Sequence, residues 1–287
     1  MTLPDTPVIT KGIRGAVVAP ATKFVGKSFL DHRIRTRISK LKEENPNIVV
    51  GELHCHSFYS DGYFSVESIL NRAASLGLDF VVLTEHLAAD RFPMEPVIKS
   101  IQDRYQCLQN WKLKNIPPIR AYPAFEISTE QGHLISLFPE EYSAGNDLIS
   151  LEKRFLPFEQ KWFSVEAAAG LTREMGGATV IPHPELQRSY PFGVPISFIK
   201  EYLTGLIDGI EDISAAHGFN ENYSGSLGLS SIGSSDDHFN FLIGAAVTVY
   251  DGDRHNSLVS AIKAKDTRAH SIDNSLAPLI SLARKIL

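Results

Sequence analysis

Cysteine is scarce in this sequence: Cys55 and Cys107 are the only two in 287 residues. They form no C-x-x-C pair, which excludes a disulfide framework and fits a reducing compartment, the cytoplasm. Also missing is any apolar run approaching the ~20 residues that span a bilayer. The N-terminus has no basic start followed by an apolar stretch, so no secretory signal is expected. Positive charge is not in excess either. The 28 Lys and Arg against 33 Asp and Glu leave a net charge of -5, which weighs against a nucleic-acid coat or a polybasic membrane surface. Internal repeats, low-complexity tracts and long linkers are absent. What remains is an ordinary globular composition, long enough for one large core or two.

Residues 1–47 differ from the rest. A short strand is expected over 15–20 and a helix over 29–44, with Leu30, Ile34, Ile38 and Leu41 on one stripe. Up to Val50 there are nine Lys/Arg and four Asp/Glu, locally about +5. That charge reads as the solvated face of a helix packed on the main domain; the sharper alternative is a collar that draws in anionic substrate. Beyond it, β-branched and apolar runs alternate with helical patterns. Strands are expected over 48–54, 79–84, 119–127, 133–138, 178–182, 209–213, 229–234 and 245–249. Helices are expected over 65–76 (capped by Ser65), 96–114, 148–160, 164–175, 196–203, 255–265 and 276–286. This rhythm predicts an α/β fold on a parallel sheet, open or closed into a barrel. The Gly-rich stretch 215–228 reads as a mobile loop over the site.

The chemistry gathers at the ends of these strands. GELHCHSFYSDG, residues 51–62, puts His54 and His56 two apart on a strand, hence on one face, followed by Asp61 in a turn. Cys55 between them faces the other way, as a packing residue. His86 ends a strand in LTEH, Glu126 in AFEIS and His183 in VIPHP. His133 begins one in GHLIS, and Asp236 and His238 follow another in SSDDH. In parallel α/β folds, sites assemble at the carboxyl ends of strands. Six of the ten histidines and three carboxylates fall there. Imidazoles with a few carboxylates suit Zn, Mn or Fe.

The motifs HCHSFYSDG, LTEH, PHP and SSDDH, with the Glu126 and His133 elements between them, resemble the PHP (polymerase and histidinol phosphatase) domain over about residues 50–269. The resemblance implies a distorted (βα)7 TIM-like barrel over residues 48–287, with residues 1–47 as an N-terminal extension. It also implies a site for two or three divalent ions at the barrel mouth. His54, His56, Glu126 and Asp236 would hold one ion. Glu126 would bridge to a second, shared with His133 and His183. Asp61, His86 and His238 would hold a third. Glu85 departs from the family, which usually has Asp before the histidine.

Three divalent ions against three carboxylates leave a surplus of roughly +3, which favours an anionic substrate. The expected activity is hydrolysis of a phosphomonoester or phosphodiester of a small metabolite or nucleotide by a metal-bound hydroxide. Arg188 is a candidate for gripping a phosphate oxygen, and His217 a candidate proton donor. Arg91 and Asp237 are further residues beside the motifs. The alternatives are a nuclease-type phosphodiesterase, a non-catalytic metal-stabilised module, and an amide or lactone hydrolase. Overall acidity and the lack of an aromatic-basic run weigh against the nuclease. No membrane partner is expected.

Overall fold

The structure is a computed structural model that describes residues 27–89, 91–114, 119–186 and 192–275. The strand expected over 15–20, the helix over 276–286 and Arg188 lie outside the described residues. In chain order the elements are α1 (Lys27–Glu44), β1 (Ile48–Cys55), α2 (Val66–Ser75), β2 (Phe80–Leu83), β3 (Glu85–Leu87), α3 (Met94–Leu113), β4 (Arg120–Ala121), β5 (Ala124–Thr129) and β6 (Gly132–Leu137). There follow α4 (Gly145–Phe155), α5 (Val165–Glu174), β7 (Ala178–Ile181), α6 (Ile196–Tyr202), β8 (Gly209–Ser214), β9 (Phe219–Asn220), α7 (Tyr223–Leu227), β10 (Ser230–Ser234), β11 (Ala246–Asp251), α8 (Leu258–Lys263) and β12 (Arg268–Ser271).

Local chemistry accounts for the helix ends. The Ser65 hydroxyl accepts the Ser68 N–H at 3.2 Å and starts α2. Val66, Ile69, Leu70 and Ala73 form its buried face, and Gly77 at φ +82° ends the turn that follows. Ser164 caps α5 in the same way, through the Ala167 N–H.

The strands form two sheets, one in the order β12-β11-β1-β2-β4 and one in the order β10-β8-β7-β6-β5-β3, with β9 paired to β8. The expected parallel sheet is therefore corrected to a mixed one. β5 and β6 are antiparallel because the Glu130–Gln131 turn, closed by the Thr129–Gly132 pair, leaves no room for a crossover. β6–β7, β1–β11 and β11–β12 are antiparallel as well. The run 80–87 breaks at Thr84, so β2 pairs in the first sheet and β3 in the second. Pro123, which has no N–H to donate, makes a similar break between β4 and β5. No ladder among the described residues closes the sheets into a barrel. The architecture is mixed α/β, and two backbone bonds join the end of β1 to the segment after β10. Asp236 N–H donates to the His54 carbonyl at 2.8 Å, and His56 N–H to the Asp237 carbonyl at 3.0 Å.

α1 buries the expected residues. Leu30, Ile34 and Ile38 pack with Val50, Ile69, Leu76 and Val247, and Leu41 lies against the same cluster. Its basic side is largely paired: Arg33 and Arg37 reach Asp273 at 2.9 and 3.4 Å, and Lys42 reaches Asp79 at 2.6 Å. The stretch expected as a mobile loop holds β9 and α7 instead. The Asn222 side chain caps α7, and Asp212 accepts from both the N–H and the hydroxyl of Ser224.

Candidate metal centre

The nine residues singled out as ligands come together. On β1 the two-residue spacing of His54 and His56 brings their Nε2 atoms to 3.1 Å. Cys55 points the other way; its thiol donates to the Val82 carbonyl, and it is fully buried in the core. In the parallel β3–β5 pair, His86 lies directly beside Glu126. His133 reaches the site because the β5–β6 hairpin folds it back opposite Ser128. His183 follows β7 and Asp236 follows β10. Both hold positive φ, 30° and 50°, a region His and Asp tolerate better than most residues. Such backbone is uncommon and clusters at functional sites.

Glu126 sits at the centre and is fully buried. Its Oε1 lies 2.7 Å from His133 Nδ1 and 3.0 Å from His183 Nε2. Its Oε2 lies 3.3 Å from His54 Nε2, 3.4 Å from His56 Nε2 and 3.2 Å from His86 Nδ1. Asp236 Oδ1 is 3.4 Å from His54 Nε2 and 3.2 Å from His56 Nε2. On the outer side, Asp61 Oδ1 is 3.1 Å from His238 Nε2 and 3.5 Å from His86 Nε2. Exposure rises along this line, from 0% for the His54 side chain to 25% for Asp61. The cluster is closed at its floor and open at Asp61.

Two tests bear on whether cations fit. Ligands about 2 Å from a tetrahedral cation sit about 3.3 Å from each other, and most of the contacts above fall near that value. Several atoms are also buried without a hydrogen-bond partner: His56 Nδ1, Asp61 Oδ1, His86 Nδ1 and His183 Nδ1. Leaving such groups unpaired costs about 1–3 kcal/mol each. Four overlapping groups could hold a metal ion: His56 with Asp61, His86 and His238; His54 with His56 and Glu126; His54 with His183 and Asp236; and His86 with Glu126 and His133. The residues fit. The groups share residues, and His133 and His183 both face Glu126 Oε1.

Charge in the cluster is shared between imidazoles and carboxylates. Burial disfavours ionised Glu126, but His133, His54 and His86 outweigh it and hold its carboxyl well below the usual range. Asp61 and Asp236 follow suit: burial opposes, then His238 and His86 prevail at Asp61, and His54, His56 and His238 at Asp236. Burial also disfavours charged imidazoles. Asp61 overcomes it at His238 and pushes that group up to about 10. At His54, the combined Asp236, Glu126 and Glu211 do the same, and at His86 the pair Asp61 and Glu126. At His56, burial together with His238 and His86 wins, and the group is lowered. His133 is lowered too, because burial exceeds the pull of Glu126.

His217 lies at the edge of the cluster, its Nε2 against Asp236 Oδ2. Asp237 does not join the ligands. It is buried and accepts the N–H groups of Phe239, Phe241, Leu242 and Ile243, which shapes the loop carrying His238. Glu85 accepts from Ser57 N–H and from the hydroxyls of Ser57, Ser60 and Ser100, and so pins the turn that presents Asp61. Two buried glutamates escaped sequence reasoning. Glu52 accepts the N–H groups of His54, Ser235 and Gly244; burial dominates at this group and pushes its carboxyl up to about 7. Glu211 on β8 contacts His54. The signal available for both was a glutamate within a strand span, Glu52 two residues before His54 and Glu211 beside Asp212.

The PHP domain model matches residues 52–168. That segment holds the HCHSFYSDG and LTEH motifs with Glu126 and His133; His183, Asp236 and His238 lie beyond the match. No curated protein matches the sequence. Among solved structures, a two-domain protein of Bacteroides vulgatus containing a predicted PHP-like metal-dependent phosphoesterase aligns at 19% identity and TM-score 0.55, over 78% of this chain and 64% of that one. This chain thus spans about two thirds of that protein's length. PsfC of Pseudomonas syringae aligns at 16% identity and TM-score 0.50, over 84% of this chain and 97% of that one. Endonuclease Q, in complex with a 27-mer duplex bearing an abasic lesion, aligns at 14% identity and TM-score 0.50, over 79% and 60%. At these identities the likeness concerns the fold. No helix among the described residues is long and apolar enough to cross a membrane.

Proposed function

We propose that this protein is a metal-dependent phosphoesterase that hydrolyses a phosphomonoester or phosphodiester of a small metabolite or nucleotide. The observation that carries the reading is the convergence of nine His, Asp and Glu side chains from separate strand ends, graded from a closed floor at His54 to an open edge at Asp61. Structural metal sites are closed, whereas catalytic ones keep an open position. In this reading His54, His56, His133, His183, Glu126 and Asp236 hold the inner ions, and Asp61, His86 and His238 the outer one. Bound divalent ions would acidify water and neutralise charge on the phosphoryl oxygens.

The remaining work falls to the chain. The four inner histidines, His54, His56, His133 and His183, are buried and keep bulk water from the floor, so substrate enters past Asp61 and His238. His217, oriented by Asp236, stands at the edge where it can give a proton to the departing alkoxide. Arg188 is assigned to phosphate binding on its position after His183 in the sequence. The two sheets are read as parts of a distorted (βα)7 barrel, joined where β1 meets the segment after β10; residues 48–287 would form this unit, with residues 1–47 added to it.

One observation favours nucleotides or nucleic acid as the substrate class. Phe58 and Tyr63, in the loop carrying Asp61, are 51% and 40% exposed. Tyr63 stacks on Phe239, beside His238, with ring centroids 4.8 Å apart. Exposed aromatics next to a phosphate site suit base stacking.

The test is a screen of phosphomonoesters, phosphodiesters, nucleotides and oligonucleotides with the protein loaded with Mn(II) or Zn(II). Hydrolysis that is abolished by His54→Ala is expected. Steep salt dependence would mark the nuclease reading. Inactivity toward every phosphoester with metals bound would hand the site to the non-catalytic or amidohydrolase readings.

A further inference from the structure

We infer that Glu211 is a positioning residue that fixes which nitrogen of His54 faces the metals and locks His183 to the same carboxylate. The inference rests on the phosphoesterase reading only in taking His54 and His183 as metal ligands. Glu211 lies on β8, 157 positions from His54 in sequence, and is fully buried. Its Oε1 is 2.7 Å from His54 Nδ1 and also accepts the Ser234 hydroxyl. Its Oε2 accepts the His183 backbone N–H at 2.7 Å. One side chain therefore joins the ends of β1, β7, β8 and β10.

The chemistry of the donors sets the direction. A backbone N–H can only donate, and a carboxylate can only accept. With Glu211 Oε1 accepting here as it does from Ser234, His54 carries its hydrogen on Nδ1. That leaves the Nε2 lone pair aimed at Glu126 and Asp236, 3.3 and 3.4 Å away, where a cation would sit. The opposite tautomer would present an N–H to the cation and bind nothing. A carboxylate behind a ligating imidazole orients the ring and raises its basicity, and its loss typically weakens metal binding 10–100-fold. The second oxygen holds His183 at its uncommon φ of 30°, so the same substitution disturbs two candidate ligands.

Glu211→Gln preserves shape and breaks this pattern. A carboxamide has one acceptor oxygen, and its NH2 must then face either the His183 N–H or the donors of His54 and Ser234. The experiment titrates zinc into wild type and Glu211→Gln against a chromophoric chelator, and reads the His54 tautomer by long-range 1H–15N spectra of zinc-loaded, 15N-histidine-labelled protein. A 10–100-fold weaker zinc affinity in a folded Glu211→Gln, with His54 of wild type protonated at Nδ1, is expected. A merely structural glutamate would lower the melting temperature and leave zinc affinity within twofold; that result overturns the inference. If Glu211→Gln does not fold, wild type alone decides: Nδ1–H supports the inference, Nε2–H overturns it. Wild type that binds no zinc would instead sink the phosphoesterase reading, and this inference with it.

Discussion

Glu126→Gln should remove more metal-dependent stability than any other single substitution in the cluster. The reason is geometric. Oε1 faces His133 and His183, and Oε2 faces His54, His56 and His86. Gln keeps the volume, halves the acceptors and removes the charge, so both halves of the inner site lose a ligand at once. Asp61, by contrast, serves only the outer group with His86 and His238. A ligand present at 100 times its dissociation constant stabilises the folded state by about 2.7 kcal/mol. If loss of a ligand weakens a group about 100-fold, its contribution at the same concentration falls to about 0.4 kcal/mol. Asp61→Asn then forfeits about 2 kcal/mol of metal-induced stability, and Glu126→Gln about 4–5. At about 2 °C per kcal/mol for a chain of this size, the metal-induced rise in melting temperature shrinks by about 5 °C and about 10 °C respectively. The assay is a thermal melt with chelator and with saturating zinc, paired with metal counting on the purified proteins. The comparison uses the metal-induced difference, because Glu126→Gln also changes the metal-free protein. Equal differences for the two variants, or full metal content in Glu126→Gln, would refute the bridging role.

Three further outcomes follow from the same contacts. Ile34→Ala, at a fully buried position of α1, should cost about 2–5 kcal/mol and lower the urea midpoint without changing metal content; an unchanged midpoint would mean that α1 is not docked as described. Gly62→Ala places a methyl 2.3 Å from the His56 carbonyl oxygen, so the turn must shift; stability should drop by about 1–3 kcal/mol and outer-site metal should be lost, whereas a neutral substitution would contradict the close approach. The metal-free protein should lose stability in alkali. His54, His86 and His238 are raised above their unfolded value, so their contribution is complete below about pH 6.5 and fades as pH rises through the folded values, near 10 at His238. The lowered carboxylates Asp61, Glu126 and Asp236 act in the other direction, stabilising above about pH 4 and failing in acid. Zinc needs neutral imidazoles and should release protons on binding. Urea midpoints from pH 4 to 10, with chelator and with zinc, check this; a metal-free midpoint that is flat or rising above pH 6.5 would contradict it.

Much of this was legible because the chemistry follows local rules. The β-branched run before His54, the serine caps at 65 and 164, and the apolar stripe of α1 each depend on neighbours within a few residues. The site was legible for a different reason. Histidines at strand ends are rare enough that six of them, with three carboxylates, form a pattern. What stayed hidden depends on distant partners. β12 (Arg268–Ser271) has no buried residue in its span, so it shows no strand pattern; only pairing with β11 makes it one. The direction of β6 is set by a two-residue turn that reads like any other polar break. Stretch 215–228 looks loose until Asp212 and Asn222 take up its donors. Glu211 reads as the polar member of an alternating strand, and its role appears only when β1 and β7 arrive beside it.

The buried glutamates also change the electrostatic argument. Counting only Asp61, Glu126 and Asp236 against three divalent ions leaves about +3. Glu85, Glu211 and Asp237 lie directly behind the cluster and are buried. By formal charge these three carboxylates offset that surplus, and Arg104 behind Glu85 restores part of it: its guanidinium is buried and donates to the Leu83 and Tyr122 carbonyls. A long-range positive field is then not what draws phosphate in. In the proposed reading, attraction would be local, from an outer cation held by Asp61, His86 and His238 and from side chains at the mouth. On that proposal, discrimination among phosphoesters would fall to the segments around Asp61, His217 and His238. The floor answers to cations, whose demands are few. The mouth would answer to the substrate, and in the proposed reading the exposed Phe58 and Tyr63 favour one that carries a base.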